Sequence, residues 1–372
     1  MDNIRDTIGL SGPARDAKLV KLIVIVISAL LIFMIAGWIY SKLTLKEKNC
    51  QAMTKLYKDF PTITTMNKGS DEFSHALRDY YVKTAYNCCA TGTFKNTFVD
   101  TCGLKNCIRQ GARCLDFQIY SVKDEPVIAV SSVSDFSVKE SYNSVPFGTA
   151  MGVIADYAFA GSTCPCPGDP LIIHLRIMSK NLPIMDKMAT DLYNTLERRL
   201  LGKKYSYENQ GKNLGKVPIQ QLMGKVVVIV DKSLADPTKT KLDEYVNICS
   251  NSVFMRALSY HEVQYTPDMN ELIEYNKKNM TICLPDLGTQ ATNPSAALAW
   301  QYGCQFVAMS FQNFDQNLEY SDLFFDSAGS AFSLKPANLR FIPVTIPVPG
   351  PPPEEYSYAK RTVSSDYYKF NI

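Results

Sequence analysis

The stretch Tyr80-Tyr-Val-Lys-Thr-Ala-Tyr-Asn-Cys-Cys-Ala-Thr-Gly92 opens a series of short apolar segments that runs to about residue 342. Downstream, runs rich in β-branched residues recur at Leu171–Leu175, Val226–Val230, Thr281–Leu284 and Phe306–Met309. Polar, helix-compatible stretches such as Leu182–Leu201 and Pro267–Asn276 separate them. Strands buried on both faces read as continuous apolar runs, and strand–helix alternation implies a parallel sheet. A (β/α)8 barrel of roughly 250 residues fits this span, with any site at the C-terminal ends of its strands. Periodicity alone leaves a doubly wound open sheet possible.

Further segments sharpen the reading. They are Gly111-Ala-Arg-Cys-Leu-Asp-Phe-Gln118, Glu125-Pro-Val-Ile-Ala-Val130, Asp169-Pro-Leu-Ile-Ile-His-Leu-Arg176 and Leu222-Met-Gly-Lys-Val-Val-Val-Ile-Val-Asp-Lys232. Near the C-terminus come Trp300-Gln-Tyr-Gly-Cys-Gln-Phe-Val-Ala-Met-Ser-Phe-Gln312 and Phe332-Ser-Leu-Lys-Pro-Ala-Asn-Leu-Arg340. In this order they resemble the strands of eukaryotic phosphoinositide-specific phospholipases C. The first four segments and Tyr80–Gly92 match the X half of that barrel (75–232). The last two match the Y half (250–342) and are the most specific. The resemblance implies a phospholipase-C-like (β/α)8 barrel over 75–342.

The same resemblance implies a damaged active site. The family cleaves a phosphodiester with two histidines and a calcium ion held by an asparagine and three carboxylates. Carried over by position, the first histidine is Tyr86 and the second Val130. The two carboxylates of the second strand become Asp116 and Gln118, and the fourth-strand glutamate becomes Arg176. Asn87 and Asp116 are the vestigial calcium ligands. Calcium takes six to eight oxygens, so one carboxylate, one amide and a nearby guanidinium would not hold it. Tyrosine titrates near pH 10 and valine carries no proton, so neither replaces a histidine. The family's Gly-Thr-Arg segment has no clear match around Leu287-Gly-Thr-Gln290. No catalytic residue, calcium or other cofactor is therefore expected.

Two other readings stay open. In one, Arg176 stands where the metal would sit, as in calcium-independent bacterial relatives. It would work with His174, two residues earlier on the same side of the strand, and Asp116 in an active phosphodiesterase on phosphatidylinositol-type lipids. In the plainer alternative Arg176 and Asp116 form an inward ion pair in an inactive pocket. The other reading is a structural membrane protein of an enveloped particle. The pseudoenzyme, acting as a binding or scaffolding domain, is the primary expectation.

Ahead of the barrel, Leu22–Tyr40 is 19 residues without a charge, after a tail at 1–21 and before a juxtamembrane lead-in at 41–74. At about 1.5 Å per residue it matches a bilayer core. It is longer than a signal-peptide h-region, and no small-residue cleavage pattern follows. This predicts a single-pass N-terminal anchor and the lipid bilayer as a partner. Basic residues flank both ends, Arg5, Arg15, Lys18 and Lys21 before and five lysines from Lys42 to Lys58 after, so the positive-inside rule gives no orientation. Eleven cysteines tip the balance toward an oxidising side for the barrel. The pairs Cys102/Cys107 and Cys164/Cys166 are closely spaced. The sequon Asn279-Met-Thr281 falls at a probable core strand. Net charge is +3, too near balance for a nucleic-acid partner. The Pro-rich tail (343–372) reads as an extended segment, either lying on the surface or docking a protein partner.

Overall fold

The computed structural model describes residues 13–134, 138–343, 349–350, 353, 356 and 358–372. The chain divides into a unit ending at Arg340 and a second unit from Phe341. The first begins with one unbroken helix, α1 (Pro13–Leu56), and continues into the sheet. Its strands are β1 (Tyr80–Ala85), β2 (Cys114–Val122), β3 (Glu125–Ile128), β4 (Val145–Pro146), β5 (Leu171–Ile177), β6 (Val226–Asp231), β7 (Ile248–Ser250), β8 (Met255–Ser259), β9 (Met280–Leu284), β10 (Phe306–Met309) and β11 (Phe332–Leu334). The helices that cover them are α2 (Thr101–Arg109), α3 (Phe147–Tyr157), α4 (Leu182–Leu196), α5 (Tyr260–Gln264), α6 (Met269–Lys278), α7 (Ala296–Gln301) and α8 (Gln316–Ala328).

Eight strands follow one parallel path, β7-β6-β5-β2-β1-β10-β9-β8. They form a near-closed barrel whose seam falls between β7 and β8, where the two strands meet without a ladder. The predicted runs lie where strands form, and their continuity has a simple cause. Every residue of β5 and β6 is buried, inward against the barrel interior and outward against helices. The helices start where side chains can cap them. Asp100, Asp268 and Asp315 accept backbone N–H bonds from the first turns of α2, α6 and α8.

Two expectations need correction. The segment Glu125–Val130 is not a barrel strand: β3 runs antiparallel to β2 and carries β4 on its far side. The strand bearing Arg176 is therefore the third of the barrel rather than the fourth. Likewise helix α4 stops at Leu196, short of Leu201.

The most specific motifs turn out to hold the foot of the barrel, at the N-terminal ends of its strands. The Gln305 amide donates to the carbonyls of Arg78, Asn276 and Asn279. Lys335, 1 % exposed, follows β11 and donates to the Asn276 carbonyl at 3.2 Å. Burial pushes its ammonium group down to about 7. Trp300 stacks on Phe324 with centroids 4.2 Å apart, and its carbonyl accepts the Tyr81 hydroxyl.

From Leu19 onward α1 is long and apolar enough to cross a membrane, and its apolar side chains are exposed. It passes beyond residue 40 without a break. A disulfide, Cys50–Cys102, joins it to the first turn of α2. Lys46 pairs with Asp100 at 2.8 Å, and Arg109 at the other end of α2 donates to the Lys58 carbonyl. Cys102 thus pairs with Cys50, and the closely spaced Cys107 is a buried free thiol. Cys164 and Cys166 are buried thiols with Sγ atoms 4.0 Å apart. In the sequon, the Asn279 carboxamide accepts from Asn213 and the Thr281 hydroxyl is buried against Asn276. The Pro-rich stretch falls largely outside the described residues. The second unit closes in a hairpin, β12 (Thr362–Ser364) with β13 (Lys369–Asn371).

Candidate functional site

At the C-terminal ends of β1, β2, β5 and β7 the structure builds a buried polar cluster. Register is the cause. In the β2–β5 ladder Asp116 lies beside His174 and Gln118 beside Arg176. With a side-chain period of two, all four point inward together. Asn87 follows β1 in a left-handed conformation, φ 44°, which an asparagine tolerates better than most residues. That turn aims its backbone N–H at Asp116 on β2 and its side-chain oxygen at Arg176 on β5.

Asp116 is the centre and is wholly buried. Its Oδ1 accepts from Arg176 Nε at 2.9 Å and meets His174 Nδ1 at 2.8 Å. Its Oδ2 accepts from Arg176 Nη2 at 2.6 Å and from the Asn87 backbone N–H at 3.2 Å. The guanidinium reaches on to Asn87 Oδ1 at 2.8 Å, and its face lies 4.7 Å from the centroid of the Tyr86 ring. Tyr86 packs edge-on against Phe94. Burial pushes the Asp116 carboxyl up, but the charges and hydrogen bonds of Arg176 and His174 outweigh it and hold the group well below the ordinary carboxylate range. Burial lowers the Arg176 guanidinium's affinity for its proton, and Asp116 more than restores it. Burial raises the Tyr86 phenol despite the facing guanidinium.

The sequence-predicted residues thus divide. Tyr86, Asn87, Asp116, His174 and Arg176 come together. Gln118 turns aside, its Oε1 accepting the Ser131 N–H at 3.1 Å. Val130 is a buried core side chain whose carbonyl accepts from Glu140 and Ser141. At the position where the resemblance implies a second histidine, this chain closes a loop. The Leu287–Gln290 segment contributes a backbone bond, Phe94 N–H to the Thr289 carbonyl, and sends no cation inward.

One member was not anticipated. Ser250, the last residue of β7, has its hydroxyl 2.9 Å from His174 Nε2. Asp116, His174 and Ser250 therefore line up as a carboxylate, an imidazole and a hydroxyl, the order of a hydrolase triad. With Nδ1–H donating to Asp116, Nε2 accepts the Ser250 proton. Geometry alone does not make a nucleophile. All three side chains are wholly buried, so a substrate has no approach to the Ser250 oxygen. Cavities of 160 to 550 Å³ occur on the molecule, and these five are lined by other residues.

The residues present do not fit a calcium ion. Both oxygens of the lone carboxylate and the asparagine carbonyl oxygen are bonded to a guanidinium that fills the place a cation would need.

Comparison with known proteins agrees with the barrel. Residues 73–232 match the model of the phosphatidylinositol-specific phospholipase C X domain, and residues 228–338 match the Y domain model. The crystal structure of L. pealei PLC21 superposes with a TM-score of 0.60 at 19% identity, over 73% of this chain. That of S. officinalis PLC21 does so with a TM-score of 0.59 at 18% identity, over 76%. These likenesses concern the fold, and the aligned region spans only 38% and 39% of the two proteins' own lengths. No curated protein matches the chain. With both half-barrels matched in order across most of its length, the chain belongs to the phosphatidylinositol-specific phospholipase C family.

Proposed function

We propose that this protein is a membrane-anchored member of the family that has given up hydrolysis and serves as a binding or scaffolding barrel at a membrane. The observation that carries the reading is the state of Asp116, buried and saturated by Arg176, His174 and Asn87. A calcium-dependent phosphodiesterase needs that carboxylate for the metal and needs a proton carrier at the mouth. Here Tyr86 and Val130 occupy the carriers' positions. The apolar length of α1 supports the anchor, and the Cys50–Cys102 disulfide supports an oxidising compartment for the barrel.

A second reading rests on one observation. Arg176 bridges Asp116 and Asn87, the two surviving metal-ligand positions, as a built-in cation would in a calcium-independent phosphodiesterase. Incubating the purified full chain with phosphatidylinositol vesicles, with calcium and with chelator, separates the two. The pseudoenzyme reading expects no water-soluble inositol phosphate above blank in either. It also expects no saturable calcium binding in the micromolar range by calorimetry. Chelator-resistant turnover lost in His174→Ala would establish the enzyme.

A further inference from the structure

We propose that a 550 Å³ cavity at the foot of the barrel is a binding site for a polyanionic ester of a polyol, a phosphorylated or sulfated sugar-like ring. The cavity lies on the segment between α4 and β6. Its Val217 wall accepts the Leu77 N–H just before β1, and its Phe254 wall immediately precedes β8. It is therefore remote from the Asp116 cluster, and the proposal depends neither on catalysis nor on the anchor.

Three lysines, Lys204, Lys212 and Lys216, line it, and among the described residues lining it there is no carboxylate. The nearest acid in sequence, Glu208, is already paired with Lys232 at 3.0 Å. An unneutralised set of ammonium groups around a concave surface favours a multiply charged anion. The walls add more than charge. The Tyr205 ring carries the Lys204 ammonium 5.2 Å from its centroid, and its hydroxyl donates to Gln221 Oε1 at 2.8 Å, which leaves the Gln221 NH2 as a donor on the rim. Aromatic faces with neighbouring amide donors suit a ring bearing hydroxyls. The volume is within the range of small-molecule pockets and far beyond one inorganic anion.

The backbone gives an independent reason. Tyr207, Glu208, Asn209 and Gln210 hold four consecutive left-handed conformations, φ 52° to 55°, ending at Gly211. Such a run is unfavourable for every side-chain-bearing residue in it. Strain of this kind persists where surrounding structure enforces it, and it clusters at ligand clamps. This turn is enforced: the Glu208 N–H donates to the Val246 carbonyl, and buried Asn209 bonds the Lys212 carbonyl. Its effect is to fold the chain back so that Lys204 and Lys212, on either side of the turn, face one cavity.

The test uses the full chain in detergent micelles and titration calorimetry with three probes. These are myo-inositol hexakisphosphate, a fully sulfated heparin disaccharide, and inorganic phosphate. At least one ester should bind saturably and at least about tenfold more tightly than inorganic phosphate. The exposed triple variant Lys204→Glu/Lys212→Glu/Lys216→Glu should weaken it by at least about tenfold. A charge-matched control, Lys68→Glu/Lys123→Glu/Lys239→Glu, should retain it. The better ester identifies the source, phosphate or sulfate. Absence of saturable binding by both esters, parity with inorganic phosphate, or equal loss in both variants would overturn the proposal. Melting curves of each variant confirm that the barrel is folded.

Discussion

Replacing Arg176 with glutamine tests whether the polar cluster is held as a unit. The side chain makes three hydrogen bonds, two of them to Asp116, and it is only 5 % exposed. Removing one partner of a buried pair leaves an uncompensated charge and costs about 3–5 kcal/mol. The remaining His174 and Asn87 contacts place the loss toward the lower end. The pH dependence is the sharper signature. Asp116 has a depressed pKa, so its contribution is complete above its unfolded value, about 3.9, and is lost as pH falls toward the native one. Without Arg176 the carboxyl protonates at a higher pH. The stability gap between wild type and variant should therefore be widest at neutral pH and narrow as pH falls toward and below about 4. Urea unfolding of the full chain in micelles, followed by the fluorescence of buried Trp300, reads both quantities. A loss below about 1 kcal/mol, or a gap that does not change with pH, would refute the account.

Three further outcomes follow from other parts of the molecule. Cys50→Ser opens a covalent loop with a sequence separation of 52 and should lower stability by roughly 2–5 kcal/mol, with reductant mimicking it; a melting temperature unaffected by either would contradict the pairing. Lys335 has a depressed pKa of about 7 against about 10.4 unfolded, so its burial penalty is full below pH 7 and fades as pH rises to 10. Lys335→Met should accordingly stabilise most at pH 7 and below, with an advantage that shrinks toward pH 10 in denaturant midpoints; a constant difference would argue against a buried ammonium. The full chain should stay in the membrane pellet through alkaline carbonate extraction, and its release by carbonate alone would remove the transmembrane assignment.

Much of this was legible before the fold. Continuous apolar runs report strands buried on both faces, and in a barrel the register then follows. Asp116, His174 and Arg176 were placed together because residues two apart on one strand share a side, whatever their chemistry. Ser250 was not, because a three-residue strand in Asn247-Ile-Cys-Ser carries too little pattern to show which side chain points inward. Gln118 and Val130 were misread for a different reason. Position in the family motif predicts where the backbone goes, but here each side chain takes a nearby hydrogen bond or core contact. The Cys50 partner was missed because it lies outside the barrel motifs. The lysines after Tyr40 looked like flanking residues, although the stretch through Leu56 contains many good helix formers.

The continuity of α1 bears on how the barrel would sit if its apolar part spans a bilayer. Cys50 meets the start of α2, the helix that leaves the C-terminal end of β1, and Lys58 lies beside its end. The helix therefore descends along α2, and its apolar part projects from the side of the barrel that carries the Asp116 cluster. Cys50 lies ten helical steps beyond Tyr40, about 15 Å of rise. With residues 22–40 in a bilayer, the cystine and the Lys46–Asp100 pair make a stiff strut in place of a tether. The closed mouth would be held at short range over the headgroups, while the lysine-lined foot would be presented to whatever approaches from solution.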